Sequence, residues 1–299
     1  MIVPHLRCSL QGSFVALPTP FRNGEIDYAA FQTLIEWHVA EKTDGLVIAG
    51  TTGEAATLTD NERRGLFDAA VACARGRLPI VAGVGTNCTR TTIEMAKGAV
   101  SAGVAALLVV TPYYNRPSQR GLALHYGAVA EAVTKPIVLY NVPSRTGVDL
   151  QPETVSEVGE RYPHVVAVKE ALASTERVKR LVGETPCAVL CGEDGMIADF
   201  MSLGAVGVIG VVNNVVPGKV RELVRLAVPE GGNHVRAAML VEELAPLVKD
   251  LFIETNPVPV KAALAAMKKC GDEVRLPLAP LADANRQKLE ATLRACKLI

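Results

Sequence analysis

Short apolar runs recur along this chain, with amphipathic segments between them. Eight can be marked: Phe14–Leu17, Gly45–Ala49, Ile80–Gly83, Ala106–Val110, Ile137–Tyr140, Val165–Lys169, Ala188–Cys191 and Gly207–Val211. They stand roughly 20–35 residues apart, the length of one strand plus one helix. Most are continuous runs, as expected of parallel strands covered on both faces. Eight such units predict an α/β fold, a (β/α)8 TIM barrel. The alternative is an open doubly wound sheet. However, the first strand–helix turn has no GxGxxG, and no phosphate-binding loop occurs anywhere.

The intervening segments carry helix signals. Phe31, Leu34, Ile35, His38 and Val39 share one face at helical spacing. Thr59 with Glu62, and Thr91 with Glu94, are spaced as capping boxes, and Ser118 after Pro117 is spaced as a helix start. Beyond the eighth run the chain is too long for one closing helix. Leu240, Val241, Leu244, Leu247, Val248 and Leu251 form an apolar stripe, and Pro257–Lys269 and Pro280–Leu298 read as two further helices. The expected division is a barrel over 1–220 and a helical extension over 221–299, packed on the barrel or on a partner subunit.

Composition narrows the function. With 31 basic and 31 acidic residues and no charge blocks, the chain has no basic stripe for nucleic acid or a membrane surface. Its seven cysteines include no CxxC pair, which fits a reduced, cytoplasmic protein. Cys187 and Cys191 flank a short strand and read as buried thiols, and the five histidines show no zinc-type spacing, so no metal is expected. Pro4, His5 and Arg7 stand where the apolar core of a leader would lie, so none is expected. No apolar run reaches the ~20 residues of a membrane span.

In a barrel of this kind, chemistry sits at the C-terminal ends of the strands. Strand two ends in GTTGE (Gly50–Glu54), strand four in Thr111-Pro112-Tyr113-Tyr114-Asn115, and strand five runs through Tyr140 to Arg145. Strand six ends in Lys169-Glu170, and strand seven in Gly192-Glu193-Asp194. By the strand period of two, Val165, Ala167 and Lys169 share one face, and Val166 and Val168 the other. An amine attacks a carbonyl only when neutral, and an apolar pocket disfavours the ammonium, so Lys169 is a candidate Schiff-base nucleophile. Otherwise it reaches solvent or pairs with Glu54 or Glu193. Thr51 and Thr52, flanked by glycines, suit a small carboxylate; otherwise they are turn and cap residues. Tyr140 can relay protons and Arg145 can grip a carboxylate, although each has an ordinary reading as a packing or loop residue. Tyr113 and Tyr114 serve equally as interface anchors. Glu193 and Asp194 read as structural.

The stretches GLVIAGTTGEAATLTDNE, VTPYYNRPSQ, LYNVPSRTG and VVAVKEA, in this order, resemble the dihydrodipicolinate synthase / N-acetylneuraminate lyase family of pyruvate-dependent class I aldolases and lyases. The resemblance covers nearly the whole chain. The paired tyrosines before NRP and the arginine in PSRTG are similar to its condensing members rather than its sugar-acid lyases. It implies condensation of pyruvate with L-aspartate-4-semialdehyde, towards diaminopimelate and lysine. Carried over by motif, Lys169 forms the imine, Thr51 and Thr52 hold the pyruvate carboxylate, and Tyr140, Thr51 and Tyr114 relay protons. Arg145 binds the carboxylate of the semialdehyde, and Ile209 supplies a backbone carbonyl near the imine. The resemblance implies no metal and no organic cofactor, since the imine is the electron sink. It also implies a homo-oligomer: at least a dimer, because Tyr114 enters its neighbour's site, and commonly a tetramer.

Two further readings stay open: an aldolase of the same family with another aldehyde, and a non-catalytic effector-binding homologue. Lysine-inhibited relatives carry histidines after GTTGE and a glutamate after the third strand. Here Asp60, Arg63 and Thr91 hold those places, while Asn87 and Tyr113 match. Lysine feedback is therefore expected to be weak or absent. EALAS in place of EATGN after the lysine, and Glu193 where Asp is common, are further departures.

Overall fold

The computed structural model describes residues 10–299; Pro4, His5 and Arg7, named above, lie outside the described residues. The strands in chain order are β1 (Gly12–Ala16), a short antiparallel pair β2 (Phe21–Arg22) and β3 (Glu25–Ile26), β4 (Gly45–Ile48), β5 (Ile80–Gly83), β6 (Ala106–Val110), β7 (Ile137–Asn141), β8 (Val165–Glu170), β9 (Ala188–Cys191) and β10 (Gly207–Gly210). All except β2 and β3 pair in parallel and close into one eight-stranded barrel, with β1 bonded to both β4 and β10. The predicted barrel is what forms, and each of its strands matches an expected run to within two residues at either end. The β2–β3 hairpin carries no sequence mark beyond its Asn23-Gly24 turn.

Helices α1 (Tyr28–Ala40), α2 (Asp60–Ala74), α3 (Thr89–Ser101), α4 (Gln119–Ala132), the single turn α5 (Pro143–Thr146), α6 (Pro152–Arg161), α7 (Thr175–Glu184), α8 (Ile197–Ser202) and α9 (Pro217–Leu226) wrap the barrel. Helix α1 buries Phe31, Leu34, Ile35 and His38, the face its spacing marks. Thr59 and Glu62 close a true capping box on α2, and the Ser118 hydroxyl accepts from Gly121 N at the start of α4. The expected box at Thr91 and Glu94 does not form. Helix α3 begins three residues earlier, with Cys88 as an N-cap whose side chain makes no capping hydrogen bond. The Thr92 hydroxyl instead accepts from Thr86 N at 3.0 Å, so the loop before α3 is fixed from inside the helix.

Two apolar layers result. Inside the barrel, Phe14, Val47, Val81, Leu108, Val138 and Ile209 pack against one another; outside, a larger shell joins the strands to the helices. Gly45 is dictated by the inner layer, because a Cβ there would meet the Phe14 ring at 2.2 Å. The expected facing of β8 needs one correction. Ile137 opposes Val165, yet its successor Val138 opposes Ala167, so one residue is bulged out of register. Val165 consequently belongs to the outer layer, while Val166 and Ala167 both join the inner one. Beyond the bulge, Tyr140 opposes Lys169.

After α9 come α10 (His234–Leu251), α11 (Val258–Ala266) and α12 (Asp283–Ala295). Helix α10 buries Leu240, Leu244, Leu247 and Leu251 and packs on α9 and α12. Residues 220 and 221, between which the division was expected, lie within α9, a continuous helix packed on β1. Among the described residues, no helix is long and apolar enough to cross a membrane.

Candidate active site

The loop after β4 turns sharply at the barrel rim. Ala49 and Glu54 bracket it with φ of 52° and 54°, a left-handed conformation that costs a non-glycine residue about 1 kcal/mol or more. Surrounding contacts hold it there. The Thr19 hydroxyl donates to Gly53 O at 2.7 Å, and the Glu54 carboxylate accepts from Lys261 Nζ at 2.6 Å and from Arg275 N at 3.0 Å. Thr51 and Thr52 are thereby presented to the mouth of the barrel.

Lys169 rises into the same space from β8 and is 6 % exposed. Its Nζ lies 4.4 Å from the Tyr140 ring centroid. Neither Glu54 nor Glu193 pairs with it, and among the described residues no carboxylate comes within ion-pairing distance of its ammonium. Gly192 makes room for the side chain, since a Cβ there would sit 2.8 Å from Lys169 Cε. The end of β8 is locked from behind. Asn141 Nδ2 donates to both oxygens of Glu170 at 3.0 Å, and Arg177 Nε donates to Glu170 at 2.6 Å. These side chains point outward while Tyr140 and Lys169 point in, so the network fixes the strand ends without filling the site. Burial pushes the Glu170 carboxyl up, against the pull of Arg177.

The Tyr140 and Thr51 hydroxyls stand 3.5 Å apart. Thr52 Oγ1 accepts from Asn256 Nδ2 at 3.0 Å, and Arg145 Nη2 donates to the backbone carbonyl of Asn256 at 3.2 Å. Two adjoining cavities share Thr51, Tyr140, Arg145 and Asn256 in their walls. The smaller, about 180 Å³, is walled by Thr52, Lys169 and Glu193 as well. The larger, about 300 Å³, extends past Arg63 and Tyr113 to Pro277. Lys169, Tyr140, Thr51, Thr52 and Arg145, from three different strand ends, are thus brought together.

Other expected residues lie elsewhere. Tyr114 is 89 % exposed, with φ of 72°, and does not reach the Thr51–Tyr140 pair within one chain. The Ile209 side chain belongs to the inner apolar layer and walls neither cavity. Asp194 accepts from Val211 N and Val212 N at 2.9 and 2.8 Å, the structural role expected of it; burial pushes its carboxyl up to about 6. Cys187 and Cys191 are buried, and burial holds the Cys191 thiol protonated. Among the described residues, no three His, Cys, Asp or Glu side chains cluster as a metal would require. Two site residues escape the sequence reading: Asn256 and Lys261, both from the C-terminal extension. Their one signal is a lone lysine within the apolar VPVKAALAA, just after an Asn-Pro step.

The model of the dihydrodipicolinate synthetase family matches residues 9–296. A 4-hydroxy-tetrahydrodipicolinate synthase of Maridesulfovibrio salexigens is 43% identical over 293 residues, covering 97% of this chain and all of that one. The crystal structure of dihydrodipicolinate synthase from Aquifex aeolicus superposes with a TM-score of 0.95 at 43% identity, covering 97% of this chain and 99% of that one. A chloride-inhibited dihydrodipicolinate synthase of Acinetobacter baumannii, solved in complex with pyruvate, is 41% identical with a TM-score of 0.94, covering 97% of this chain and all of that one.

Proposed function

This chain belongs to the dihydrodipicolinate synthetase family, and from that membership we propose that it joins pyruvate to L-aspartate-4-semialdehyde through a Schiff base on Lys169. It is a lyase of that family. One observation carries the assignment of Lys169: a buried lysine, without a carboxylate partner among the described residues, stands beside a cavity whose polar walls include the Thr51, Thr52 and Tyr140 hydroxyls and Arg145.

The chemistry follows from the side chains. The neutral Lys169 amine adds to the C2 carbonyl of pyruvate, and loss of water leaves an iminium. That iminium draws electrons from the methyl group, which loses a proton to become an enamine. The enamine carbon attacks the aldehyde carbon of the second substrate, and the resulting alkoxide takes up a proton. Release of Lys169 needs a second nucleophile at the imine carbon, and the amine of the semialdehyde is at hand. Thr51 and Thr52 hold the pyruvate carboxylate beside the glycine-rich turn. Tyr140 and Thr51 pass the protons. Arg145 takes the carboxylate of the semialdehyde. Ile209 contributes its backbone carbonyl beside the imine. The iminium is the electron sink, so the reaction needs no metal or organic cofactor.

Tyr114 completes the relay from a neighbouring subunit. Its exposure and left-handed backbone support this, because they turn the phenol away from its own chain. A dimer is then the smallest active unit, and a tetramer of two dimers the full assembly. The pathway is diaminopimelate and lysine synthesis, in the cytoplasm. Feedback by lysine is weak or absent, since Asp60, Arg63 and Thr91 stand where lysine-inhibited relatives carry histidines and a glutamate. Half-inhibition at sub-millimolar lysine would overturn that last point.

The Schiff base is tested by adding pyruvate, reducing with borohydride and locating the adduct by mass spectrometry. Lys169 should carry the reduced pyruvyl group; an unmodified Lys169 would remove the mechanism in every form. Coupled turnover with aspartate semialdehyde then separates this reaction from condensation with another aldehyde.

A further inference from the structure

We propose that Asn256 is a positioning residue of this active site, orienting the Thr52 hydroxyl so that its proton points at the bound keto acid. The inference rests on the Schiff-base reading above. Asn256 is 6 % exposed, lies on the connection between α10 and α11, and walls both cavities. Its Nδ2 donates to Thr52 Oγ1 at 3.0 Å. A hydroxyl has one proton and two lone pairs. With a lone pair committed to Asn256, the Thr52 proton is left to donate, and a carboxylate accepts. Freed from Asn256, the hydroxyl rotates and can turn a lone pair towards the anion, which repels it.

The same residue also touches the other subsite, by a different atom: its backbone carbonyl accepts from Arg145 Nη2 at 3.2 Å. Asn256 is thus a common reference for the threonine that meets pyruvate and the arginine that meets the second substrate. A second residue of the extension, Lys261, holds the loop that carries Thr52. The Lys261 ammonium donates to Glu54 Oε1 at 2.6 Å and to Thr19 O at 2.9 Å. Glu54 closes the loop that begins with Thr51, so the extension grips this loop twice, once at each end.

The two atoms of Asn256 make the test selective. Borohydride trapping on Lys169 is measured as a function of pyruvate concentration. Asn256→Ala should raise half-saturating pyruvate about tenfold, the order of one hydrogen bond to a charged group. The KM for the semialdehyde should stay within about twofold, because alanine keeps the backbone carbonyl that Arg145 uses. The near-isosteric Asn256→Asp accepts from Thr52 instead of donating to it, and should weaken pyruvate further. In a Thr52→Val background, Asn256→Ala should add nothing, as two residues acting through one contact are not additive. A purely structural role would predict additive losses and a fall in both substrates together.

An unchanged pyruvate titration in folded Asn256→Ala, or a full extra loss in the Thr52→Val background, overturns the inference. Should Asn256→Ala fail to fold, Asn256→Asp carries the same comparison. A wild-type enzyme that never labels on Lys169 overturns the Schiff-base reading, and this inference with it. A labelled enzyme whose half-saturation ignores Asn256 overturns this inference alone.

Discussion

Lys169 and Lys261 are buried to a similar depth, 6 % and 0 % exposed, and each holds its ammonium 4.4 Å from an aromatic centroid, Tyr140 for one and Phe21 for the other. Their surroundings differ. Lys261 is bonded to the Glu54 carboxylate and the Thr19 carbonyl, whereas Lys169 has no carboxylate partner among the described residues and stands beside an open cavity of about 180 Å³. Burial pulls the Lys261 amine down and Glu54 pushes it back up, so its charge stays paired. Depth and aromatic contact therefore do not distinguish a nucleophile from a scaffold lysine. A partner and free space do.

The contrast is broken most directly at its reactive side. Lys169→Met should lower turnover on the order of 10³-fold or more and abolish borohydride labelling. Its urea midpoint should be equal or higher, because a buried polar head without a carboxylate partner among the described residues is replaced by an apolar chain. A variant that keeps its turnover would dissolve the distinction.

At the scaffold side the signs reverse. Lys261→Met leaves Glu54 buried and unpaired, so stability should fall by about 3–5 kcal/mol. The pair Glu54→Gln with Lys261→Met should recover most of that loss. Urea unfolding of the single and double variants decides it, and equal losses in both would show that the ion pair is not the cause.

Arg145→Ala sharpens the comparison within the site. It should reduce kcat/KM for the semialdehyde about 10- to 100-fold while pyruvate labelling of Lys169 stays within about twofold. If labelling fell in parallel, Arg145 would belong to the pyruvate subsite.

The partner rule extends to weaker bases, with a smaller effect. His38 and His125 are buried, with no partner for Nε2 among the described residues, and burial pushes their pKa values down to about 3 and about 4. A lowered histidine pKa means that the unfolded chain binds the proton first, so stability is present above about pH 6.5 and is lost as pH falls. Asp194, raised to about 6, works the other way, because its folded carboxyl takes up a proton before the unfolded one does. Two histidines outweigh one aspartate, and stability should drop by about 1 kcal/mol between pH 6.5 and 5.5. His38→Asn should flatten that slope in urea titrations; stability that rises towards pH 5.5 would contradict it.

The barrel was legible because strand spacing and helix length are set by local sequence. So were Lys169, Thr51, Thr52, Tyr140 and Arg145, since strand ends in such a barrel face one rim. The bulge at Val165–Val166 was not, because no glycine or proline marks it. The α3 start was misread because Thr92, which lies inside the helix, fixes the preceding loop. Asn256 meets Thr52 only through the packing of the C-terminal extension, and no local period encodes a contact across that separation. Lys261 carries the same mark as Lys169, one ammonium in an apolar run. Only the fold reveals that a carboxylate answers it.

The grip of Asn256 and Lys261 on the loop after β4 also orders events during translation. A ribosome delivers the Thr51–Thr52 turn early, and all eight strands before residue 211, yet the residues that seat that turn emerge last. A nascent or truncated chain ending near the eighth strand has its lysine but not the frame that aims the threonines. Such a fragment should capture a keto acid more weakly than the whole chain.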